Sequence, residues 1–277
     1  MFNSIQAISL DKVTRVKPEF VLKSFMPIPK HTVAMLASSG GVGKTNMSIQ
    51  CAAKFVEETN SNVLVWFSED EAGVIGIRFD YMAKHGLLNK ATESRISYIL
   101  TEPKQFATVE NKTFKANYSA ILDLREDCIR NDIKFIIIDP LLAFYGGEEN
   151  NNSQARIFMQ PFLEWAKQDG VTILFIHHAS KGSNGSTRGA GAFVDAVRTL
   201  YELDYIRDDK DEIDFDKKDS GLRRITLRKD NRGAYEYFEK VYGGGDGEVR
   251  VIPRRVTYEE HEYKEIPSYD KVEAVAI

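Results

Sequence analysis

The chain has 277 residues, 43% of them hydrophobic, enough for one large α/β domain with small appendages or for two small domains. With 37 Lys and Arg against 41 Asp and Glu, the formal net charge is -4, so no global basic field draws the protein to nucleic acid and any such contact must rest on local cations. Cys51 and Cys128 stand alone, which excludes a disulfide framework or a paired-cysteine zinc site and suits a reducing cytosol.

The opening MFNSIQAISLDK has no basic lead and no long apolar core, and no run is long enough to span a bilayer. The expectation is a cytoplasmic protein with no signal peptide and no membrane contact. The first 30 or so residues carry scattered charges, prolines and isolated apolar side chains, and read as an arm leading into the domain. The domain is placed at 21–255, with 1–20 as the arm and 256–277 as a tail. From residue 33 short apolar runs alternate with helical stretches, the pattern of a mostly parallel sheet covered by helices on both faces. The runs are 33–37, 63–67, 135–138 and 171–176. None alternates cleanly between polar and apolar, as expected of strands buried on both sides. Helices are predicted over 45–58, 71–85, 116–130 and 153–168, the last with Ser153 as its N-cap. Beyond residue 195 the runs 199–205, 222–228, 234–241 and 248–252 do alternate, which predicts antiparallel strands added toward the C-terminus. The charged stretch 207–218 reads as a solvated hairpin tip, and Gly243, Gly244 and Gly245 mark a turn.

The strongest chemical signal is SSGGVGKT, residues 38–45, between an apolar strand and an amphipathic helix. Glycines let backbone N–H groups face phosphates, and a helix N-terminus adds a favourable dipole. The loop from Ser39 through Gly40, Gly41, Val42 and Gly43 to Lys44, Thr45 and Asn46 is therefore the expected ATP site. Lys44 would reach the β- and γ-phosphates, and Thr45 would ligate Mg2+ through its hydroxyl. Ser38 stands where the motif usually has its first glycine.

Three further strand ends carry candidate chemistry. Asp139 closes the run FIIID, at the sheet end where open parallel sheets bind ligands, and is placed to hold Mg2+ through water. Ser68-Glu69-Asp70-Glu71 follows the second run. Glu69 is the favoured general base, with Asp70 and Glu71 as alternatives and a Ser68–Glu71 capping box as the structural reading. His177 and His178 end the fourth run. Adjacent strand residues face opposite ways, so the two cannot share a metal. One is expected to pack and the other, His178, to sense the γ-phosphate, or else to be a hydrogen-bonded structural histidine. The loops 145–152 and 180–191 are polar and glycine-rich. Both are expected to touch single-stranded DNA, with Lys181 and Arg188 of the second meeting its phosphates, the alternative being a flexible connection.

SSGGVGKT, the SED after the second strand, FIIIDPL, and FIHHASKG followed by STRGAGAFVDAVR together resemble the RepA type of small hexameric replicative helicase from broad-host-range plasmids. These belong to the RecA-like ATPases, with the DnaB-like helicase motor. The resemblance covers roughly residues 20 to 240. It implies a RecA-like P-loop NTPase core, a homohexameric ring with ATP at each interface, and single-stranded DNA in the channel. It also implies Glu69 as catalytic base, Asp139 as the Walker-B acid, His178 as sensor, Arg198 as an arginine finger reaching a neighbour, and Lys229 as a second cation acting in trans. The competing reading is a regulatory or recombination-mediator ATPase with the same motor and no unwinding. The insert at 207–218 departs from the family pattern.

Overall fold

The computed structural model describes residues 9–99, 102, 104–178 and 191–252. In chain order the strands are β1 (Phe20–Val21), β2 (Ile28–Pro29), β3 (Val33–Ser38), β4 (Asn62–Phe67), β5 (Ile96–Tyr98), β6 (Ala107–Glu110), β7 (Thr113–Ala116), β8 (Ile133–Asp139), β9 (Thr172–His178), β10 (Thr199–Asp204), β11 (Leu222–Asp230) and β12 (Asp246–Arg250). The helices are α1 (Lys44–Thr59), α2 (Ala72–Lys84), α3 (Tyr118–Arg130), α4 (Asn152–Asp169), α5 (Gly191–Ala196), α6 (Phe215–Asp219) and α7 (Tyr235–Tyr242). Eight strands form one sheet in the order β12-β11-β10-β3-β9-β8-β4-β5. The pairs from β10 across to β5 are parallel, and β11 and β12 add antiparallel strands at one side. Among the described residues no helix is long and apolar enough to cross a membrane.

The non-alternating strands are explained by how their side chains divide. Ala34, Leu36, Val63, Val65, Phe135, Ile137, Leu174 and Ile176 pack into one core with residues of α1 and α2. Their chain neighbours Val33, Met35, Leu64, Trp66, Ile136, Ile138, Ile173 and Phe175 pack into a second core with α3 and α4. Each strand supplies both faces by turns, so every position is apolar.

Several expectations change. Of the 30 or so residues read as an arm leading into the domain, 20–29 are folded onto it: β1 pairs antiparallel with β2, and Leu22, Met26 and Ile28 are fully buried in the first core. The run at 199–205 is a strand, but it lies parallel to β3, extending the parallel sheet one strand further than its alternation suggested. The stretch 234–241 is helix α7, not a strand. Ala234 and Phe238 are buried four residues apart, and Tyr242 packs one turn further on, so the helical period governs. The Asp230 carboxylate accepts from the N–H groups of Arg232, Gly233 and Tyr235, turning the chain out of β11 toward α7. Helix α4 is capped by Asn151, whose side chain accepts from Ser153 and Gln154, so Ser153 is not the cap. Glu71 occupies the N-cap of α2 without a side-chain cap bond, which removes the Ser68–Glu71 capping box. The charged stretch makes a turn closed by an Arg207–Ile213 bridge, then enters α6 under an Asp214 cap.

Candidate active site

The parallel strands end together at one side of the sheet, where β3 hands over to α1. Ser38, the residue in place of the usual glycine, is the last residue of β3. It is paired with Leu203 on one side and His178 on the other and is fully buried in extended backbone, so no special conformation is needed there. Glycine is required three and five residues later. Gly41 has φ +79° and Gly43, the N-cap of α1, has φ +110°. A Cβ on Gly43 would also lie 3.1 Å from Ile252 Cδ1 and Val251 Cγ1.

Around this loop is a cleft of about 440 Å³ lined by Gly40, Gly41, Gly43, Lys44, Thr45, Asn46, Glu69, Asp70, Asp139, His178 and residues of α2. Lys44 is buried, and its Nζ donates to the carbonyls of Ser38 (3.2 Å) and Ser39 (3.0 Å). Burial lowers its pKa, while Asp139 and Glu69 pull it back up. Asp139 ends β8 and is only 5% exposed. Burial pushes its pKa up to about 7; a hydrogen bond from Thr45 and the charge of Lys44 oppose the rise, and Glu69 and Asp70 reinforce it. Its Oδ2 and the Oδ1 of Asn46 are buried without a hydrogen-bond partner among the described residues. An orphaned carboxylate oxygen beside a threonine hydroxyl is the donor set a hard divalent cation takes, so these residues fit Mg2+.

The three acids after β4 separate by geometry. Asp70 is held in a two-pronged pair with Arg78, both contacts 2.9 Å. Glu71 starts α2 and does not line the cleft. Glu69 faces the cleft with its side chain 67% exposed, its Oε1 3.9 Å from His178 Nε2. His177 points the other way, fully buried against Phe193.

The remaining expected residues lie elsewhere. The Arg198 N–H bonds Val33 O at the start of β3, which puts it at the sheet end opposite the loop. Ser38 is five residues along β3, roughly 17 Å at about 3.3 Å per residue. Lys229 pairs with Leu200 near the same far end, and its Nζ donates to Val194 O (2.8 Å) and Asp195 O (2.9 Å) at the end of α5. Lys181 and Arg188 lie outside the described residues. In the 145–152 loop, Tyr145 is buried, and the exposed part carries Glu148 and Glu149, whose charge repels phosphate.

Two residues went unnoticed in the sequence. Tyr205, just past β10, donates its hydroxyl to Gly41 O at 2.9 Å. Arg223 of β11 donates Nε to Val42 O at 2.7 Å. The one available signal was an arginine at position 223 of an otherwise alternating strand; its long-range target was invisible.

A family model described as an AAA domain matches residues 15–184, more than half of the chain. No curated protein matches. With a P-loop between strand and helix, a buried acid at the end of β8, two strands across the sheet from β3, and that match, the chain belongs to the AAA domain family of P-loop ATPases.

Proposed function

We propose that this ATPase is a ring-forming DNA helicase of the RepA type, a homohexamer that hydrolyses Mg-ATP and translocates on single-stranded DNA during replication of a plasmid or other mobile element. The observation that carries the reading is the polarity of the sheet. The nucleotide cleft sits at the carboxyl ends of the parallel strands, while Arg198 and Lys229 sit at the other end. A subunit with a site at one end and cationic side chains at the other suits head-to-tail assembly, in which each neighbour completes the next site.

In that reading the loop amides and Lys44 hold the phosphates, and Thr45 and Asp139 hold Mg2+, which when bound neutralises phosphate charge. Glu69 orients the attacking water and accepts its proton as the oxygen bonds to phosphorus and the bond to the ADP oxygen breaks. His178, 3.9 Å from Glu69, would sense the γ-phosphate from the end of β9. Arg198 of one subunit stabilises charge developing in the next. With Glu148 and Glu149 in the first loop, the DNA contacts of this proposal rest on Lys181 and Arg188.

The test is ATP turnover with and without single-stranded DNA, alongside displacement of an annealed strand, with Lys44→Ala as the blank. DNA-stimulated turnover and strand displacement, both absent in the variant, are expected. ATP hydrolysis indifferent to DNA would overturn the helicase and leave the regulatory ATPase. Stimulation without displacement would leave a mediator.

A further inference from the structure

Arg223 is a buried cation in an unusual setting. It is 3% exposed, on β11, and its three hydrogen bonds go to carbonyl oxygens: Val42 O at 2.7 Å, Leu222 O at 2.7 Å and Lys218 O at 3.1 Å. Its guanidinium carbon lies 4.7 Å from the centre of the Tyr205 ring. Tyr205 in turn donates to Gly41 O. Two adjacent carbonyls of the phosphate loop are thus gripped by two side chains distant in sequence, one just past β10 and one from β11. Val251 and Ile252, which follow β12, press on Gly43 beside them.

A trans peptide is planar, with its C=O and N–H pointing in opposite directions. Fixing Gly41 O toward Tyr205 therefore aims the Val42 N–H away from Tyr205, and fixing Val42 O toward Arg223 aims the Gly43 N–H away from Arg223. A cation on the Val42 carbonyl also polarises that peptide, making the Gly43 N–H a stronger donor. Glycine-rich loops are flexible, and an anion site whose donors must be ordered on binding is weaker for it.

We propose that Arg223 and Tyr205 are positioning residues that pre-orient the Val42 and Gly43 amides of the phosphate loop toward the nucleotide's phosphates. The proposal rests on the loop being the ATP site. The brace acts through the loop backbone and touches no reacting atom, so it strengthens binding of ground state and transition state alike. Its loss raises KM and leaves kcat nearly unchanged.

The experiment is calorimetric titration of the full chain with Mg-ADP, counting sites as well as affinity, paired with steady-state ATP turnover. Tyr205→Phe is expected to weaken Mg-ADP about fivefold, the worth of one hydrogen bond. Arg223→Met is expected to weaken it more than about tenfold, with Arg223→Lys between the two because an ammonium still donates to Val42 O. In the turnover assay KM rises in step while kcat stays within about twofold. Arg224→Met, next along the same strand and 3.5 Å from Asp204, is the control and keeps wild-type affinity. If the wild type binds Mg-ADP and Tyr205→Phe and Arg223→Met bind it equally well, the brace is refuted while the ATP site stands. Fewer sites at unchanged affinity mean a folding role only, and equal loss in Arg224→Met assigns the effect to the strand; either overturns the proposal. A wild type that binds no Mg-ADP overturns the ATP site and the brace with it.

Discussion

Asp139 gives the sharpest physical prediction, because its carboxyl is held where it resists ionisation. Its pKa stands at about 7 in the folded chain, against 3.8 ordinarily, chiefly through burial. Folded protein therefore binds this proton more tightly than unfolded protein does. The stability contributed by the neutral carboxyl is fully present below about pH 3.8 and is lost as pH rises through about 7. At 1.36 kcal/mol per pH decade the whole loss is about 4 kcal/mol, of which about 3 kcal/mol falls between pH 5 and pH 8.5. Asp139→Asn keeps an acceptor for Thr45 and cannot ionise. Equilibrium urea unfolding of the nucleotide-free wild type and variant at those two pH values isolates the effect, since the other titrating groups are common to both. The advantage of Asp139→Asn should grow by about 3 kcal/mol from pH 5 to pH 8.5. Saturating Mg-ADP should restrain that growth, because a cation beside Asp139 favours its ionised form. A stability difference that does not change with pH would refute the buried, strained carboxylate and the reasoning that makes it a cation ligand.

Two further predictions concern the chemistry. Glu69→Gln keeps the shape and loses the proton acceptor, so it should bind Mg-ATP normally and hydrolyse it on the order of a hundredfold or more slowly; an active Glu69→Gln beside a dead Asp70→Asn would move the base by one residue. Arg198→Ala should assemble and bind ATP yet turn over about 10³-fold more slowly, and mixing it with Lys44→Ala subunits should restore activity above either parent by pairing intact loops with intact arginines. Mixed assemblies without restored turnover would remove Arg198 from the neighbour's site.

What could be read beforehand follows from which forces are local. Strands β3, β4, β8 and β9 announced themselves because burial on both faces makes every residue apolar, a property each segment carries by itself. The loop from Ser39 to Thr45 and the acid at Asp139 were legible for the same reason, since phosphate chemistry demands those residue types at short spacing. The hairpin of β6 and β7 was not. It turns through Asn111 and Lys112, both at positive φ, where the usual signal has glycine second. Helix α7 was mistaken because Tyr235, Tyr237 and Val241 are strand-favouring types, while the buried residues Ala234 and Phe238 are spaced for a helix. Choosing among Glu69, Asp70 and Glu71 needed Arg78, eight residues beyond Asp70, to show which carboxylate was already engaged.

The location of buried charge argues for function independently of any motif. Among the described residues the buried Lys, Arg, Asp and Glu side chains are Lys44, Asp139 and Arg223. Each such group costs several kcal/mol to desolvate, and apolar replacements of similar volume are often no less stable. A sheet held together only for stability would place such groups anywhere or nowhere. Here Lys44 bonds the carbonyls of Ser38 and Ser39, Asp139 faces Thr45, and Arg223 bonds the carbonyl of Val42, so all three converge on one eight-residue loop. A chance Gly-Lys-Thr on a surface turn gives no reason for a strand as distant in sequence as β11 to bury an arginine against it. A loop that must present fixed dipoles and one ammonium to a polyphosphate gives that reason directly, because donors aligned before the anion arrives bind it without the cost of ordering them afterwards.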